Sequence, residues 1–166
     1  GNVLSLEIDR SLPPVVGIDG KRVRQVLLNL LDNANKFTER GTITLSARWD
    51  DGLIFSVADS GCGIAPADIA RIFEPFARLD RARRQSSVGL GLDIVKQWVE
   101  RMDGRIDVIS APGCGARFTL TIPASELGED EVVRHHACDA LGILPRIDGG
   151  GRRIWLAEDG AAIRQF

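Results

Sequence analysis

The chain has 166 residues, of which 44% are hydrophobic and 27% charged, the balance of an ordinary soluble globular domain. Its formal net charge of -2 gives no reason to expect a nucleic acid or an anionic membrane as a partner. We expect neither a membrane span nor a signal peptide, because no apolar run has the necessary length and pattern. Three widely spaced cysteines, Cys62, Cys114 and Cys138, lack metal-binding spacing and are predicted to be reduced thiols.

The first part of the chain predicts a strand, a long helix and a hairpin. Residues 4–9, LSLEID, alternate as in a strand, and LPPVVGID then turns the chain. Asp19 can cap a helix that runs to about Phe37 and stops before Gly41. The hairpin has an Asp-Gly turn between its two alternating strands, TITLSAR (42–48) and LIFSVAD (53–59).

The next part predicts two helices and a second hairpin. PADIARIFEPF (66–76) is a short helix, the polar and basic segment 77–89 is a surface loop, and residues 90–104 form an amphipathic helix that ends at Gly104. RIDVISA (105–111) and ARFTLTIP (116–123) are the last two strands. Together these elements predict an α/β fold, a two-layer sandwich with a mixed, mostly antiparallel sheet and helices on one face.

The composition changes after the last predicted strand. We interpret residues 1–123 as one domain and residues 124–151, which are acidic, then irregular and glycine-rich, as a linker. Residues 152–166, RRIWLAEDGAAIRQF, form an apolar strand that ends in Glu158 and Asp159, and they are too few for a domain.

The long helix carries an unusual polar stripe near its end. At about 100° per residue, Gln25, Asn29, Asn33 and Lys36 share one narrow face. The opposite face holds the predicted core residues Val23, Leu27, Leu30, Leu31 and Ala34. A face that simply meets solvent would favour Glu, Lys and Arg over Asn, which is a weaker helix former. Amide oxygens suit magnesium and a lysine suits phosphate, so the stripe is also consistent with a metal–phosphate site.

Two glycine motifs follow, and each is weak by itself. Asp59 ends a strand and precedes Gly61 and Gly63, which predicts either a simple turn or a carboxylate that accepts a hydrogen bond from a ligand amine. GLGL (89–92) opens a helix, where free backbone N–H groups bind anions. The arginines of the preceding loop form either a solvated basic segment or a lid over polyphosphate: Arg78, Arg81, Arg83 and Arg84.

The order of these motifs resembles the catalytic ATP-binding domain of bacterial two-component sensor histidine kinases. The resemblance covers roughly residues 1–123 and implies the Bergerat ATP-binding fold. Five segments carry it: NLLDNANKF (29–37) is similar to the N box, DSGCGI (59–64) to the first glycine box, IFEPF (72–76) to the F box, VGLGLDIV (88–95) to the second glycine box and GCGARFTLTIP (113–123) to the terminal hairpin.

The resemblance implies a role for each matching position. Asn33 would coordinate Mg²⁺ that bridges the phosphates of ATP, Asn29 would support the phosphate side, and Lys36 would contact phosphate. Phe37 would lie against the adenine or its ribose, and Asp59 would accept a hydrogen bond from the adenine amino group. The other implied nucleotide-binding residues are Gly61, Gly63 and Ile64 in the first glycine box and Gly89, Leu90, Gly91 and Leu92 in the second.

Asn29 bears on the choice between phosphate transfer and hydrolysis. ATPase branches of the fold carry a glutamate general base at this helix position, whereas an amide cannot take up a proton at neutral pH. We therefore predict transfer of the γ-phosphate to a histidine on a separate dimerisation domain, with little hydrolysis. His135 and His136, the only histidines, lie in the predicted linker and are interpreted as ordinary linker residues.

Two alternatives remain open at this stage. The domain could be a nucleotide-binding regulatory module without transfer activity. The tail resembles the first strand of a receiver domain, with Glu158 and Asp159 as its acidic magnesium pair, but an apolar strand that happens to end in acids explains it equally well. The resemblance implies as partners the kinase's own phosphoacceptor domain and a response regulator or fused receiver. We expect a cytoplasmic domain that is monomeric by itself and contacts neither membrane nor nucleic acid.

Overall fold

The domain is built on a five-stranded mixed sheet. The computed structural model describes residues 1–13, 15–74 and 91–126, together with the backbone of 155–157 and 163–165. The strands of the sheet follow the order β1-β3-β4-β6-β5. Their bounds are β1 Val3–Ile8, β3 Thr42–Trp49, β4 Leu53–Asp59, β5 Arg105–Ser110 and β6 Ala116–Ile122. β1 and β3 run parallel and the other neighbours antiparallel, which confirms the predicted α/β class with a mostly antiparallel sheet.

The helices cover one face of this sheet. Leu45, Val57 and Phe118 stand opposite one another in neighbouring strands and point into the core that the helices close. The adjacent positions on the same strands, Ser46 and Ser56 among them, are mostly polar and face the other side. The helical elements are α1 Gly20–Phe37, α2 Pro66–Ile69, a 3-10 turn Arg71–Phe73 and α3 Leu92–Glu100. No helix in the described ranges has the length and apolar character needed to cross a membrane.

Helix α1 begins and ends close to the predicted residues. The side chain of Asp19 accepts a hydrogen bond from the backbone N–H of Arg22 at 3.0 Å, which satisfies one of the free donors of the first turn. Thr38, in extended conformation, ends the helix. α1 packs against both the sheet and α3, so it buries more than the single face that its pattern predicts.

The predicted core face of α1 is correct at three positions and shifted at others. Val23, Leu30 and Ala34 are buried, as expected, whereas Leu27 and Leu31 are only half-buried at the edge of the core. The remaining buried apolar residue of this face is Val26, and Asn29, about 60° from it around the helix, is buried as well. The buried arc is therefore rotated toward the amide stripe. α1 also contacts α3, which lies far along the chain and which the helical pattern could not reveal.

A second, smaller sheet contains a short strand that was not predicted from the sequence. Its strands follow the order β7-β2-β8-β9, with bounds β2 Val15–Gly17, β7 Ser125–Glu126, β8 Trp155–Ala157 and β9 Ile163–Gln165. The segment LPPVVGID was expected only to turn the chain, because three residues are too few to show alternation. Val16 of β2 is completely buried. β7 lies inside the segment predicted as linker, and it pairs antiparallel with β2.

Candidate functional site

The amide stripe of α1 contains one buried asparagine. Asn29 is only 7% exposed, and its Oδ1 accepts a hydrogen bond from Nε2 of Gln25 at 3.4 Å. Its Nδ2 is buried without a hydrogen-bond partner among the described residues. Leaving a buried donor unpaired costs roughly 1–3 kcal/mol. This donor lies in the segment that resembles the N box.

The other stripe residues are accessible at the end of α1. Asn33 and Lys36 are half-buried, so each can present a polar atom to a ligand. Nζ of Lys36 lies 5.1 Å from the centre of the Phe37 ring, within the range of a cation–π contact. The Phe37 ring is 39% exposed, which is high for a large apolar side chain and leaves part of it free for stacking.

Asp59 is fixed at the end of β4 by two donors. Its Oδ1 accepts hydrogen bonds from the backbone N–H of Gly61 at 2.8 Å and from Oγ1 of Thr38 at 3.5 Å. Thr38, 4% exposed, ends α1 and so joins the amide helix to this carboxylate. Both bonds use Oδ1, so Oδ2 is the oxygen that can accept from a ligand. Thr38 was not predicted as a site residue, although it directly follows the NLLDNANKF motif.

The loop after Asp59 packs against the last carbonyl of α1. The backbone N–H of Cys62 donates to the carbonyl oxygen of Phe37 at 3.2 Å. A methyl group on Gly61 would collide with that same oxygen. The glycine therefore allows close contact between two backbone segments of the protein itself. The room for a base that the resemblance implies for Gly61 and Gly63 stays a prediction.

The same loop is bonded to the turn between β5 and β6. Ser110 Oγ accepts from the backbone N–H of Ile64 at 2.8 Å and donates to the carbonyl oxygen of Gly115 at 2.7 Å. The backbone N–H of Gly113 donates to the carbonyl oxygen of Cys62 at 2.8 Å. These bonds bring the first glycine box and the PGCG turn together. Ser110 was not foreseen, because a serine at a strand end has no distinctive pattern.

The second glycine box is described only from Gly91 onward. Gly91 precedes α3 in extended conformation, and its carbonyl oxygen accepts from Ile94 at 3.1 Å and Val95 at 3.3 Å. Leu92, the first helical residue, is half-buried. Asp93 lies in the first turn of α3, where a carboxylate interacts favourably with the helix dipole. Several predicted residues lie outside the described ranges: Gly89, Leu90, Phe76 and the arginines 78, 81, 83 and 84.

The described residues limit how a metal ion could be held. Within residues 1–13, 15–74 and 91–126, no group of three or more His, Cys, Asp and Glu side chains is arranged to hold one. A cation at this site would depend on an amide oxygen and on ligands brought by a nucleotide, as is usual for Mg²⁺ bound with phosphates. The amide oxygens of the stripe suit such a cation, and the buried Nδ2 of Asn29, unpaired among the described residues, suits a phosphate oxygen.

Curated proteins with similar sequences include histidine kinases. The chain is 36% identical over 162 residues to the sensor histidine kinase RcsC of Escherichia coli strain K12, a match that covers 96% of this chain and 16% of RcsC. It is 42% identical over 131 residues to the circadian input-output histidine kinase CikA of Synechococcus elongatus, covering 76% of this chain and 17% of CikA. The chain thus spans about one sixth of the length of these curated relatives.

Solved structures that resemble the chain also include a histidine kinase. The full-length structure of ShkA in complex with AMPPNP aligns with a TM-score of 0.64 and 37% identity, over 76% of this chain and 26% of ShkA. The mycobacterial sensor histidine kinase MprB aligns with a TM-score of 0.61 and 29% identity, over 75% of this chain and 86% of that chain. These likenesses confirm the fold and the resemblance to histidine kinase catalytic domains.

A protein family matches more than half of the chain. Residues 18–126 match the family described as histidine kinase-, DNA gyrase B- and HSP90-like ATPases. The matched segment begins just before α1 and ends at β7, so it contains the amide stripe, Asp59, both glycine boxes and the β5–β6 hairpin. The chain therefore belongs to the histidine kinase-, DNA gyrase B- and HSP90-like ATPase family.

Proposed function

We propose that this domain binds ATP with Mg²⁺ and donates the γ-phosphate to a histidine on a separate dimerisation domain. The observation that carries the proposal is the Nδ2 of the buried Asn29, which has no hydrogen-bond partner within the part of the chain that the structure describes, on the helix face that also presents Asn33 and Lys36. A buried donor without a partner is costly, and a bound phosphate group or its water would supply an acceptor. Relatives that are sensor histidine kinases support the same reaction class.

Different residues would contact the adenine, the ribose and the phosphates of the nucleotide. Oδ2 of Asp59 would accept a hydrogen bond from the adenine amino group, while Gly61 and Thr38 hold the carboxylate in place through Oδ1. The exposed part of the Phe37 ring would lie against the base or ribose, and Lys36 would contact phosphate. Catalysis of this kind depends on positioning and on charge stabilisation.

The phosphate side relies on an amide oxygen and on a helix start. Asn33 would supply an oxygen ligand to Mg²⁺, which draws charge away from the transferred phosphoryl group when it is bound. The backbone at Gly91 begins α3, where N–H groups free of helical partners favour an anion. We include Gly89, Leu90 and Leu92 in this phosphate site from the resemblance alone, and Ile64 and Gly63 in the adenine site on the same ground.

Transfer is favoured over hydrolysis because the site has an amide where a base would be needed. Asn29 cannot accept a proton at neutral pH, and it is buried at the helix position that the resemblance gives to the general base of ATPases. The 166-residue chain should bind ATP and release phosphate slowly, if at all. Rapid steady-state phosphate release by the chain with Mg-ATP would contradict the proposed transfer function.

The direct test measures the ATP affinity of the chain with Mg²⁺ and with a chelator, either by calorimetry or with a fluorescent ATP analogue. Asp59→Asn should lower ATP affinity by about tenfold or more, because the substituted amide would point a donor at the adenine amine. Asp32→Asn is the matched control: it makes the same change at an exposed position of α1 and should leave affinity unaltered. Equal affinity of both variants and the wild-type chain would sink the proposed adenine site.

A second experiment separates a kinase from a binding module. The chain should transfer labelled phosphate from ATP only after the histidine-bearing domain of the parent protein is added. Binding of ATP without any transfer to that domain would favour the non-catalytic regulatory module. Label on the chain incubated without it would implicate His135 or His136, which we assign to the linker.

We further propose that residues 152–166 begin a receiver domain, that residues 124–151 largely link it to the kinase domain, and that the protein works in the cytoplasm. The RcsC match covers 96% of the chain and so includes most of the segment after Glu126. Residues 155–157 form a strand, as predicted, although it pairs with β2 of the first domain, and Glu158 and Asp159 lie outside the described residues. A longer form of the protein without a phosphoacceptor aspartate after a later strand would exclude this assignment.

A further inference from the structure

The side chain of Asn2 joins the start of β1 to the end of α1. Its Nδ2 donates to the backbone carbonyl oxygens of Thr38 at 2.9 Å and Asn35 at 3.3 Å, and to Oδ1 of Asn35 at 2.9 Å. Its Oδ1 accepts from the backbone N–H of Gly41 at 3.0 Å. The next residue, Val3, donates its backbone N–H to the carbonyl oxygen of Gly41 at 2.9 Å. One side chain therefore bonds to three residues of the helix end and the connection after it.

These bonds meet a particular need of the helix. The last carbonyl groups of any α-helix have no partner within the helix and must find one elsewhere. α1 ends without glycine, at Thr38 in extended conformation, so a left-handed glycine cap is not available to it. The Asn2 amide replaces such a cap from a part of the chain more than 30 residues earlier. An amide has both donors and an acceptor, which is what this position uses.

The same helix end carries the candidate nucleotide site. Lys36 and Phe37 directly precede Thr38, whose carbonyl oxygen accepts from Asn2. The hydroxyl of Thr38 donates in turn to Oδ1 of Asp59. Thr38 is buried, so its side chain and carbonyl are held by these contacts within the protein interior. Asn2 is thus linked to the Asp59 carboxylate through a single intervening residue.

We propose that Asn2 is a positioning residue for nucleotide binding, which makes the affinity of the site depend on how the chain is held where it enters β1. The inference rests on the proposed ATP-binding function. When the bonds of Asn2 are made, the last turn of α1 is fixed against β1 and the connection to β3. When the entry to β1 moves, Thr38 loses its carbonyl partner, and the end of α1 that carries Lys36 and Phe37 and contacts Asp59 is held less tightly.

A purely structural cap would behave differently. It would lower the free energy of unfolding when removed, without changing the nucleotide affinity of the molecules that stay folded. A positioning role also changes that affinity, and it changes the surroundings of the Gly61 amide, which donates to Asp59. Nucleotide affinity and the NMR signal of the Gly61 amide are therefore the informative measurements.

The experiment uses the whole 166-residue chain, with Asn2→Ala beside Ser11→Ala. Ser11 is the matched control, because its Oγ accepts from the backbone N–H of Trp49 at 3.1 Å at the other end of the β1–β3 pair. Asn2→Ala should lower Mg-ATP affinity by about fivefold, the worth of roughly one net hydrogen bond, and should shift the Gly61 amide signal. Ser11→Ala should do neither, although both variants lose some resistance to urea.

A second variant keeps the test decisive if Asn2→Ala does not fold. Asn2→Asp retains an acceptor for the N–H of Gly41 but has no donor for the carbonyl groups of Asn35 and Thr38. It should lose nucleotide affinity at least as strongly as the alanine variant. Wild-type affinity in folded Asn2→Ala or Asn2→Asp, with an unmoved Gly61 signal, would overturn the positioning role. If the wild-type chain itself fails to bind ATP, the proposed function is what fails, and a shifted Gly61 signal would still show the structural link.

Discussion

The end of α1 and the loop after β4 lie side by side, yet they build the candidate site in opposite ways. α1 contributes side chains, with Asn29, Asn33 and Lys36 on one face of the helix. The loop contributes backbone, with Gly61 packed against a carbonyl oxygen of α1 and Gly63 at a φ of 67° against the β5–β6 turn. Because of this difference, mutations in α1 should mainly affect function, and mutations in the loop should mainly affect folding.

Substitutions in the helix should change ligand binding at little cost in stability. Substitutions of the loop glycines should disturb the fold first, because a side chain there has no room and, at Gly63, an unfavourable backbone conformation. Loss of activity in a glycine variant would therefore not by itself identify a nucleotide contact.

Gly63→Ala should be the most damaging change. The added methyl group would collide with the carbonyl oxygen of Ala111 at a residue whose φ of 67° already disfavours a side chain. We expect a loss of about 2–4 kcal/mol in the free energy of unfolding, measured in urea. Gly113→Ala is the matched control, since its φ is 78° but nothing lies within 4 Å of the added atom. Its loss should be about 1 kcal/mol, and equal losses in the two variants would show that packing at Gly63 is unimportant.

Asn33→Ala should separate binding from stability on the helix side. Removing the amide oxygen should lower ATP affinity in the presence of Mg²⁺ by about tenfold or more, and have little effect when the metal is chelated. Stability should stay within about 0.5 kcal/mol, because alanine is the better helix former. Gln97→Ala, an exposed amide on α3, serves as control. An equal loss of affinity with and without Mg²⁺ would contradict a metal-binding role for Asn33.

Asn29→Leu should make the domain more stable and less able to bind ATP. Leucine has a similar size, buries more apolar surface and removes the unpaired Nδ2. We expect a gain of about 1 kcal/mol in the free energy of unfolding, by urea denaturation without nucleotide. A destabilised variant would mean that Asn29 already has a partner in the ligand-free protein and that its amide is part of the fold.

The smallest effect is expected at a carboxylate outside both regions. The backbone N–H of Ser11 donates to Asp9 at 2.7 Å and holds the pKa of Asp9 below its ordinary value, with help from the Ser11 side chain and Arg48. A lowered pKa in the folded state stabilises the protein above the ordinary aspartate pKa, and this contribution is lost as the pH falls through the folded value. Asp9→Asn should therefore slightly flatten the acid side of the stability curve. An unchanged curve would contradict the bond.

Several features follow from local sequence patterns because local physics produces them. The strands of both hairpins and the span of α1 were predicted closely, since alternation, the Asp19 cap and the helical repeat are short-range signals. The order of the motifs also gave the family, which the match over residues 18–126 confirms. The roles of single residues in nucleotide binding remain predictions.

Other features were decided only by contacts between distant segments. Val26 and Asn29 are buried although neither is among the predicted core residues of α1, and α1 packs against both the sheet and α3, a neighbour about 70 residues away that the helical repeat alone could not reveal. β2 has three residues and exists through its pairing partners. Asn35, which the stripe left without a role, accepts a hydrogen bond from Asn2. The glycine-box loop likewise takes its shape from Phe37 and the β5–β6 turn. Local patterns in the sequence identified the family and the candidate site residues, whereas contacts between distant segments set what holds those residues in place, because the restraining bonds join segments that no local pattern connects.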